Sequence, residues 1–550
     1  MNDRSSYTLL VSLTVALGGF LMGFDSAVIS GVVGPLKVNF DLTDRQVGTA
    51  VACLTAGATL AMAIAGRIAD AFGRKPVLIC TAALFSLSAL WSAFAGSYTE
   101  LVVARVIGGF GVGGALLIAP MYIAEIAPPE KRGRLVSFNQ LNIVLGFSAA
   151  FFSNYFLEQY FKAPAPTVFY PEATSVDPVA WRWMLGVEAI PAALYLLFLT
   201  RVPRSPRWLA LRGRFDEARA VLARTSGEES ADAALAEVRD NLSSASNDAS
   251  FGELFASRMS RVMLIGLGLG FFQQITGINA IFYYATTIFE LTGSGRDAAL
   301  MQAIYVGLVN VVFTVIAMRL IDRAGRRPLL LVGTSAMAVA LFTNAYAFSA
   351  GTYQLTGENL TEAEMSLAIQ VFPQDEISTL DPADAAAALD LEGAAAALAP
   401  LTASFDSRSA FLAALDEAAA APTPFAEAIE AAKSDLPKKA LQVNGNLILA
   451  AILLYIAAFA ISLGPVMWAM FSEIFPARMR GVAISAAGFF NSLVSYAVQK
   501  LFPSGLAEFG PAGVFLFFGV FAALAFIFSL KVVPETKGKS LEELEAQLIG

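Results

Sequence analysis

Long apolar stretches, separated by short polar ones, follow one another along most of the chain. A membrane-spanning helix needs about 20 consecutive, mostly apolar residues. Twelve stretches reach that length, at approximately residues 7–33, 47–66, 76–96, 101–124, 135–157, 183–202, 262–290, 299–320, 328–349, 443–471, 482–502 and 512–533. The pattern therefore predicts an all-α membrane protein with twelve transmembrane helices.

Two longer polar segments interrupt the predicted spans. Residues 203–260 separate the sixth and seventh spans, and the stretch from Ser205 to Arg224 has the apolar spacing of an amphipathic helix. Residues 351–440, here called the outer insert, follow the ninth span and are rich in Ala, with breaks at Pro422 and Pro424. We expect the outer insert to form either a small bundle of short helices or a partly disordered lobe.

The first and last six spans carry matching motifs in equivalent loops. The stretch RIADAFGRKP, which begins at Arg67, matches RLIDRAGRRP, which begins at Arg319. The stretch YIAEIAP, which begins at Tyr122, matches FSEIFP, which begins at Phe471. Because transporters are often built from internal repeats, these matches predict two pseudo-symmetric six-helix bundles, the second interrupted by the outer insert.

The repeat divides the chain into five parts. We expect an N-terminal bundle, a cytoplasmic helical linker, a C-terminal bundle in two pieces, the outer insert and a cytoplasmic tail. Their ranges are 1–202, 203–260, 261–350 with 441–533, 351–440, and 534–550.

Composition and charge support the membrane assignment and give its orientation. Only 15% of the residues are charged, whereas soluble proteins have about 25%. Of the 37 Lys and Arg residues, 26 lie on the side that both termini share and ten on the other. By the positive-inside rule the termini are cytoplasmic, in a cell inner membrane. The outer insert holds 15 Asp or Glu and 4 Lys or Arg, so it accounts for the acidic net charge of −8.

The scarcity of cysteine and histidine limits the chemistry. Cys53 and Cys80 lie in apolar stretches, which excludes a disulfide framework and a thiolate zinc site. The chain has no histidine, so any proton transfer must use carboxylates. With no phosphate-binding loop or nucleophilic triad in the sequence, we expect no enzyme activity, no catalytic residue, no metal or cofactor, and no nucleic-acid partner.

Neutral polar side chains occur inside the apolar spans, most densely in the seventh. Gln273, Gln274 and Asn279 lie within seven residues, Tyr283 follows them, and Gly277 among them would let the helix break. Buried amides can simply hold helices together, but this density favours a cavity for a ligand with many hydroxyl groups, such as a sugar. The candidates on other spans are Gln140, Asn310, Trp468 and Asn491.

Charged side chains inside the spans are rare. Asp25 is placed in the middle of the first span and Arg105 in the fourth. An intramembrane carboxylate indicates a functional site, and an Asp25–Arg105 pair that opens when Asp25 takes up a proton would couple proton uptake to rearrangement. A static ion pair is the alternative. Glu188, in the sixth span, is a third candidate member.

The repeated loop motifs each combine an acidic residue with several arginines at a glycine turn, which suits bidentate ion pairs. They orient the chain, and we expect them also to form a cytoplasmic latch between the halves that closes in one state and opens in another. The latch candidates are Arg74, Glu125, Arg132, Arg326, Glu473 and Arg480.

These motifs together resemble the sugar porter family of the major facilitator superfamily, over nearly the whole chain except the outer insert. The likeness is greatest to bacterial xylose and hexose–proton symporters. The motifs that carry it are GRK at Gly73, PRSPR at Pro203, QQITGIN at Gln273, DRAGRR at Asp322, GPVMW at Gly464 and PETKGKS at Pro534.

The resemblance implies alternating access and import of a monosaccharide with a proton. It places Gln140, Gln273, Gln274, Asn279, Asn310 and Trp468 on the family's sugar contacts, and Asp25 and Arg105 on its coupling pair. Facilitative relatives typically carry Asn at the position of Asp25, which favours symport.

Three departures from the family pattern matter. Arg204 stands where the family has Glu, which removes one acidic member of the latch. Ser492 replaces a Trp, and Met22 replaces a Phe, so the pocket is expected to be wider, and a ketose or cyclitol is compatible with it.

Other functions share part of this pattern. We expect a functional monomer whose partners are a small sugar, a proton and the lipid bilayer. The alternatives are a facilitative sugar or polyol uniporter with inositol-like substrates, a membrane sugar sensor, and an exporter of drugs or metabolites. A sensor would normally carry a long cytoplasmic tail, and an exporter would lack the amide cluster.

Overall fold

A computed structural model describes residues 3–161, 179–228, 231–236, 238, 251–255, 259–371, 389–434, 436–476, 478–539 and 541–549. The described elements are helices, apart from one pair of two-residue strands. In the N-terminal half, the helices of spans 1 to 6 are Asp3–Asn39, Asp44–Phe72, Arg74–Phe94, Tyr98–Ile126, Pro129–Tyr160, and the pair Ala180–Gly186 and Ala189–Arg201.

The C-terminal half has the same number of spans, and two of them are broken. Span 7 comprises Ser260–Ile275, Ile278–Tyr283 and Ala285–Glu290, span 8 is Arg296–Ala324, and span 9 is Arg326–Ser349. Span 10 comprises Gly445–Ile461 and Leu463–Ile474, and the helix Arg480–Lys531 contains spans 11 and 12. That helix turns at Gly510, whose φ is 69°, immediately before Pro511.

The spans agree with the twelve apolar stretches of the sequence. Within the described residues, ten helices are long and apolar enough to cross a membrane. The longest supplies two spans on either side of Gly510, and Pro129–Tyr160, with 32 residues, is long enough for another. The result is an all-α transmembrane fold of twelve spans.

The internal repeat is visible in the backbone. Gly73, between spans 2 and 3, and Gly325, between spans 8 and 9, have φ angles of 95° and 91°, which residues with a Cβ rarely adopt. Arg74 then donates to the carbonyl of Ala69, and Arg326 donates to the carbonyl of Ile321. The two halves therefore build the same turn from the same residue pattern.

The halves pack against each other through spans 2 and 11 and through spans 5 and 8. Several described contacts join them. They include a hydrogen bond of 2.9 Å from Thr55 to Gln499, a hydroxyl pair at 3.0 Å between Ser30 and Thr286, an ion pair of 2.8 Å between Glu158 and Arg296, and the rings of Phe147 and Phe282 at 4.7 Å. All of these residues lie in the half of their span that is farther from the basic loops.

The linker after span 6 forms two short helices, Pro206–Leu211 and Phe215–Ser226, where the sequence predicted one helix from Ser205 to Arg224. Gly213 separates them because its φ of 73° interrupts the helix. The predicted apolar side chains still share one small core, in which Trp208, Leu209 and Leu222 are buried.

The outer insert is folded where the structure describes it. Its helices are Gly357–Val371, Leu391–Leu398, Arg408–Ala420, Ala426–Ala431 and Leu436–Ala440, which agrees with the predicted bundle of short helices. They enclose a separate apolar core that includes Phe411, Leu415, Phe425 and Ile429. The strands Thr352–Tyr353 and Leu441–Gln442 pair antiparallel at its base, and Arg408 donates to the carbonyl of Ala507 in the membrane part.

Removing the insert is expected to leave the membrane part folded, because the insert has its own core and its ends lie side by side. The amide of Gln354 is 2.7 Å from the carbonyl of Ala440, so an Asn-Gly pair in place of residues 355–439 would close a two-residue hairpin. We expect the midpoint of thermal unfolding to change by about 4 °C or less. Arg408→Ala is the control for the Ala507 contact. Failure of the shortened chain to fold, while Arg408→Ala folds, would contradict this account.

Candidate functional site

Span 7 breaks in the middle of its amide motif, as the glycine there predicted. Gly277 has a φ of 93°, and a Cβ at this position would lie 2.5 Å from the ring of Phe518. The break frees the carbonyl of Thr276, which accepts a hydrogen bond of 3.0 Å from the hydroxyl of Tyr455. The helix therefore ends beside Gln273 and Gln274 and restarts just before Asn279.

Four of the predicted sugar contacts form one hydrogen-bonded cluster. Gln274 donates to Gln273 and to Asn491, in both cases at 3.2 Å. Asn279 donates to Gln274 at 2.8 Å, and Asn491 donates to Gln273 at 2.9 Å. Gln273 also donates to the carbonyl of Leu463 at the break in span 10. Gln273, Gln274, Asn279 and Asn491 are thus brought together as an amide cluster.

The other predicted sugar contacts lie on separate spans. Gln140 is partly exposed on span 5 in the N-terminal half, and Asn310 is buried in span 8. Trp468 follows the break in span 10, is 40% exposed, and meets the ring of Phe471 edge-on at 5.6 Å. The described hydrogen bonds do not join these three residues to the amide cluster, so their part in a sugar site stays a prediction.

The cluster continues along span 11 to two residues that the sequence analysis did not select. Ser495 accepts a bond of 2.6 Å from Asn279 and one of 2.7 Å from Gln499. Asn491, Ser495 and Gln499 follow one another at intervals of four residues, which places them on one face of the helix. That spacing was the signal from which both could have been predicted.

The predicted proton-coupling residues meet inside the N-terminal half. Arg105 donates to the carboxylate of Asp25 at 3.1 Å and to its backbone carbonyl at 3.4 Å. Glu188 lies in the break of span 6, and the charges of Asp25 and Arg105 both act on it. All three side chains are almost fully buried. In the described structure Asp25 Oδ2 and Glu188 Oε1 have no hydrogen-bond partner, which leaves each carboxyl an oxygen that can take a proton.

Tyr283 lies between the amide cluster and the buried charges. It belongs to the second helical piece of span 7, four residues after Asn279. The helix Ile278–Tyr283 packs against span 1, and Tyr283 is close enough to Asp25 and Arg105 for their charges to act on it. A residue of the C-terminal half therefore lies beside the charged pair of the N-terminal half.

Among the described side chains, the repeated loop motifs form ion pairs within each half, and not between the halves. Arg74 pairs with Glu125 at 3.0 Å, and Arg326 pairs with Glu473 at 2.7 Å. Arg480 donates to the backbone carbonyl of Phe475. The side chain of Arg132 lies outside those that the structure describes. Closure of a latch across the two halves in another conformation stays a prediction.

Other residues of the loop motifs hydrogen-bond to these ion pairs in the same way in both halves, except at one position. Ser205 donates to Glu125 at 2.5 Å, and its counterpart Thr536 donates to Glu473 at 2.6 Å. Glu535 accepts bonds from the backbone amides of Arg326 and Arg327. Burial alone would raise the pKa of Glu535, but these amides and that of Lys537 hold it below its usual value. Arg204 is the counterpart of Glu535, so the N-terminal half lacks this acidic cap.

An ion pair that the sequence analysis missed joins the halves on the side opposite the basic loops, here called the outer side. Arg296, at the start of span 8, contacts Glu158 of span 5 at 2.8 Å and the carbonyl of Gly31 in span 1 at 2.6 Å. It also contacts Glu290 at the end of span 7, at 3.4 Å. The side chains of Arg296 and Glu158 are 8% and 3% exposed. This outer pair closes the side of the molecule opposite the basic loops.

Replacing Arg296 with Met is expected to favour opening of the outer side. Removing one partner of a buried ion pair leaves its carboxylates uncompensated, at a cost of about 3–5 kcal/mol, and separation of the halves would admit water to them. We expect a larger population with a long distance between spin labels on spans 5 and 8. Arg182→Met is the matched control, because the described hydrogen bonds of Arg182 go to carbonyls of its own half, at Ala93 and Ala95. An unchanged distance distribution in Arg296→Met would contradict this role.

Comparison with known proteins gives matches over almost the entire chain. The profile of the family described as sugar (and other) transporter matches residues 11–367 and 411–548, and the gap between them lies within the outer insert. An arabinose-proton symporter of Bacillus subtilis is 31% identical over 539 residues, which cover 98% of this chain and 94% of that protein. A D-xylose-proton symporter of Escherichia coli is 32% identical over 575 residues, covering 99% and 96%.

Solved structures of a related transporter superpose on this chain over almost its full length. The xylose transporter XylE from E. coli, in a partially occluded inward open conformation, superposes with a TM-score of 0.70 at 31% identity, over 98% of this chain and 100% of that one. XylE, described as a major facilitator superfamily proton:xylose symporter bound to 6-bromo-6-deoxy-D-glucose, superposes with a TM-score of 0.67 at 31% identity, over 99% and 100%. From its fold, its motifs and these matches, the chain belongs to the sugar (and other) transporter family, within the major facilitator superfamily.

Proposed function

We propose that this protein imports a monosaccharide together with a proton by alternating access. The observation that carries the proposal is the placement of two buried polar sites on either side of the boundary between the halves. The amide cluster lies in the C-terminal half, the Asp25–Arg105 pair lies in the N-terminal half, and the helix that contains Tyr283 packs against span 1. Relatives named as arabinose-proton and D-xylose-proton symporters support the same function.

The amide cluster has the chemistry that a sugar requires. A ring of hydroxyl groups needs partners that both donate and accept, and each amide side chain does both. In the described conformation Gln273, Gln274 and Asn491 bond to one another, so a bound sugar exchanges those bonds for bonds to its own hydroxyls. Trp468, with 40% of its surface exposed, provides the aromatic face against which the apolar side of a sugar packs.

The charged pair supplies the coupling. While Asp25 is ionised, its attraction to Arg105 is strong because both side chains are buried and little water screens them. Protonation of the free Oδ2 removes that attraction and releases Arg105. Because the helix that contains Tyr283 packs against span 1, movement of span 1 at Asp25 is transmitted to span 7, where the sugar site lies.

The proposal also includes the location, orientation and oligomeric state of the protein. We place it in the cell inner membrane, with both termini and the basic loops on the cytoplasmic side, and as a functional monomer. The outer contacts at Thr55, Ser30 and Arg296 then close the pathway to the outside, and the described conformation faces the cytoplasm.

Uptake of a panel of labelled sugars into proteoliposomes, with and without an inward proton gradient, tests this function. We expect at least one pentose, hexose or cyclitol to accumulate only when the gradient is present. If the sugar equilibrates equally with and without the gradient, the protein is a uniporter, contrary to the role given to Asp25. Absence of uptake of every sugar would overturn the transport of sugars altogether.

A further inference from the structure

Thr55 and Gln499 form a partly buried contact across the halves, to which the proposed mechanism gives no role beyond closing the outer side. The hydroxyl of Thr55, on span 2, donates to the side-chain oxygen of Gln499, on span 11, at 2.9 Å. Gln499 is fully buried. Its amide nitrogen donates to Ser495 at 2.7 Å, and its backbone carbonyl accepts a bond from Tyr284 at 3.0 Å.

This contact continues directly into the amide cluster. Ser495 accepts from Gln499 and from Asn279, and Asn279 donates to Gln274. An unbroken series of side chains therefore leads from Gln274 to Thr55. A change in the hydrogen bonds of the amide cluster changes the bond from Asn279 to Ser495. It therefore also changes the position of the Gln499 amide, which donates to the same hydroxyl.

The backbones of spans 2 and 11 meet close to this contact. A Cβ on Gly48, two turns from Thr55 on span 2, would lie 2.1 Å from the carbonyl of Lys500, the residue after Gln499. Spans 2 and 11 are thus in direct backbone contact beside the Thr55–Gln499 bond. Any separation of the two spans there breaks that bond.

We propose that Thr55 and Gln499 are positioning residues that link the state of the amide cluster to closure of the outer side. The proposal rests on the proposed function in taking the amide cluster as the sugar site. When the outer side closes, the hydroxyl of Thr55 satisfies the buried Gln499 oxygen. Without that hydroxyl, the closed state keeps an unpaired buried acceptor, which the open state can hydrate.

The test compares Thr55→Val with Thr55→Ser in a background that carries Cys53→Ala and Cys80→Ser. Spin labels at Arg45 and Glu508, both exposed at the outer ends of spans 2 and 11, report the distance between the halves in lipid nanodiscs. We expect Thr55→Val to shift the ratio of open to closed populations about tenfold toward open, and Thr55→Ser to match the parent.

Thr59→Val is the matched control, because the hydroxyl of Thr59 donates to the carbonyl of Thr55 in its own helix, at 2.7 Å. Gln499→Leu should open the outer side at least as far as Thr55→Val, because it also removes the bond to Ser495. The double variant should equal Gln499→Leu, since both single changes remove the Thr55–Gln499 bond. Exchange of D-xylose in proteoliposomes should slow about tenfold in Thr55→Val, while D-xylose binding to the purified protein changes about twofold or less.

Several results would overturn the proposal. They are distances and exchange in Thr55→Val that equal those of the parent, a loss shared by Thr55→Ser, a loss shared by Thr59→Val, and additive effects in the double variant. The distance measurement is made without sugar, so it tests the link even if D-xylose is not carried. A failure of the proposed function would instead appear as a parent protein that neither binds nor exchanges any sugar.

Discussion

Replacing Asp25 with Asn is expected to abolish proton-driven accumulation of sugar while exchange of sugar across the membrane continues. Asn keeps the size of Asp25 and still accepts a hydrogen bond from Arg105, but it cannot take up or release a proton. A gradient of one pH unit can drive about tenfold accumulation through a one-proton symporter. In the variant, the ratio of internal to external sugar should fall to about one, as measured with labelled sugar in proteoliposomes.

Asp41→Asn is the control for this experiment. Asp41 follows the same helix at its outer end and has a φ of 48°, a conformation that Asn also tolerates. It should accumulate sugar like the parent protein. An Asp25→Asn variant that still concentrates sugar against a gradient would show that the proton is carried elsewhere, with Glu188 the next candidate.

Replacing Gln274 with Leu is expected to weaken sugar binding about 10- to 100-fold, because two or more hydrogen bonds to the ligand or its neighbours are lost in a buried site. Gln274 lies at the centre of the amide cluster and contacts Gln273, Asn279 and Asn491. Titration of the purified protein with the transported sugar measures the change. The midpoint of thermal unfolding, recorded on the same samples, shows whether the variant is folded.

Asn344→Leu provides the comparison. Asn344 is also a fully buried amide, but it donates to the carbonyl of Ala340 in its own helix, in span 9. Its replacement should leave sugar affinity unchanged within about twofold, at a similar cost in stability. If both variants lose affinity equally, the loss reflects damage to the fold, and Gln274 would not be assigned to the sugar site.

Most of the fold could be predicted from the sequence, because the lipid bilayer fixes the length and polarity of each span. Each span must be about 20 mostly apolar residues, so the twelve spans can be counted directly. The glycine turns at Gly73 and Gly325 were readable because few other residues adopt their backbone conformation. The break at Gly277 was predictable for the same reason. The kink at Gly213 was missed because the apolar spacing continues across it.

The candidate site was only partly predictable. Gln273, Gln274 and Asn279 are close in sequence and unusual in an apolar span, so their density was visible. Ser495 and Gln499 carried a weaker signal, their spacing from Asn491. Thr55, Glu158 and Arg296 carried none, because their importance depends on how the halves pack, and residues such as Thr55 and Gln499 are 444 positions apart in the chain.

The ion pairs of the repeated loop motifs illustrate a second limit. The sequence singled out Arg74, Glu125, Arg326 and Glu473 as candidates for a latch, but it could not say which pairs form in a given conformation. Within the described residues they pair with residues of the same half, whereas the outer pair of Arg296 and Glu158 joins the two halves. A protein that alternates between two conformations breaks some of these contacts and forms others. The same residues must therefore support both sets of contacts, and the sequence alone does not show which set is present.

The most direct test of sugar:proton symport is to follow protons and sugar together. Proteoliposomes without a membrane potential or pH gradient are given an inward gradient of the transported sugar, and the pH outside is recorded. The account predicts that the outside becomes more alkaline as sugar enters, with about one proton per sugar, and that Asp25→Asn shows sugar entry without any pH change. Sugar entry with no pH change in the parent protein would contradict it.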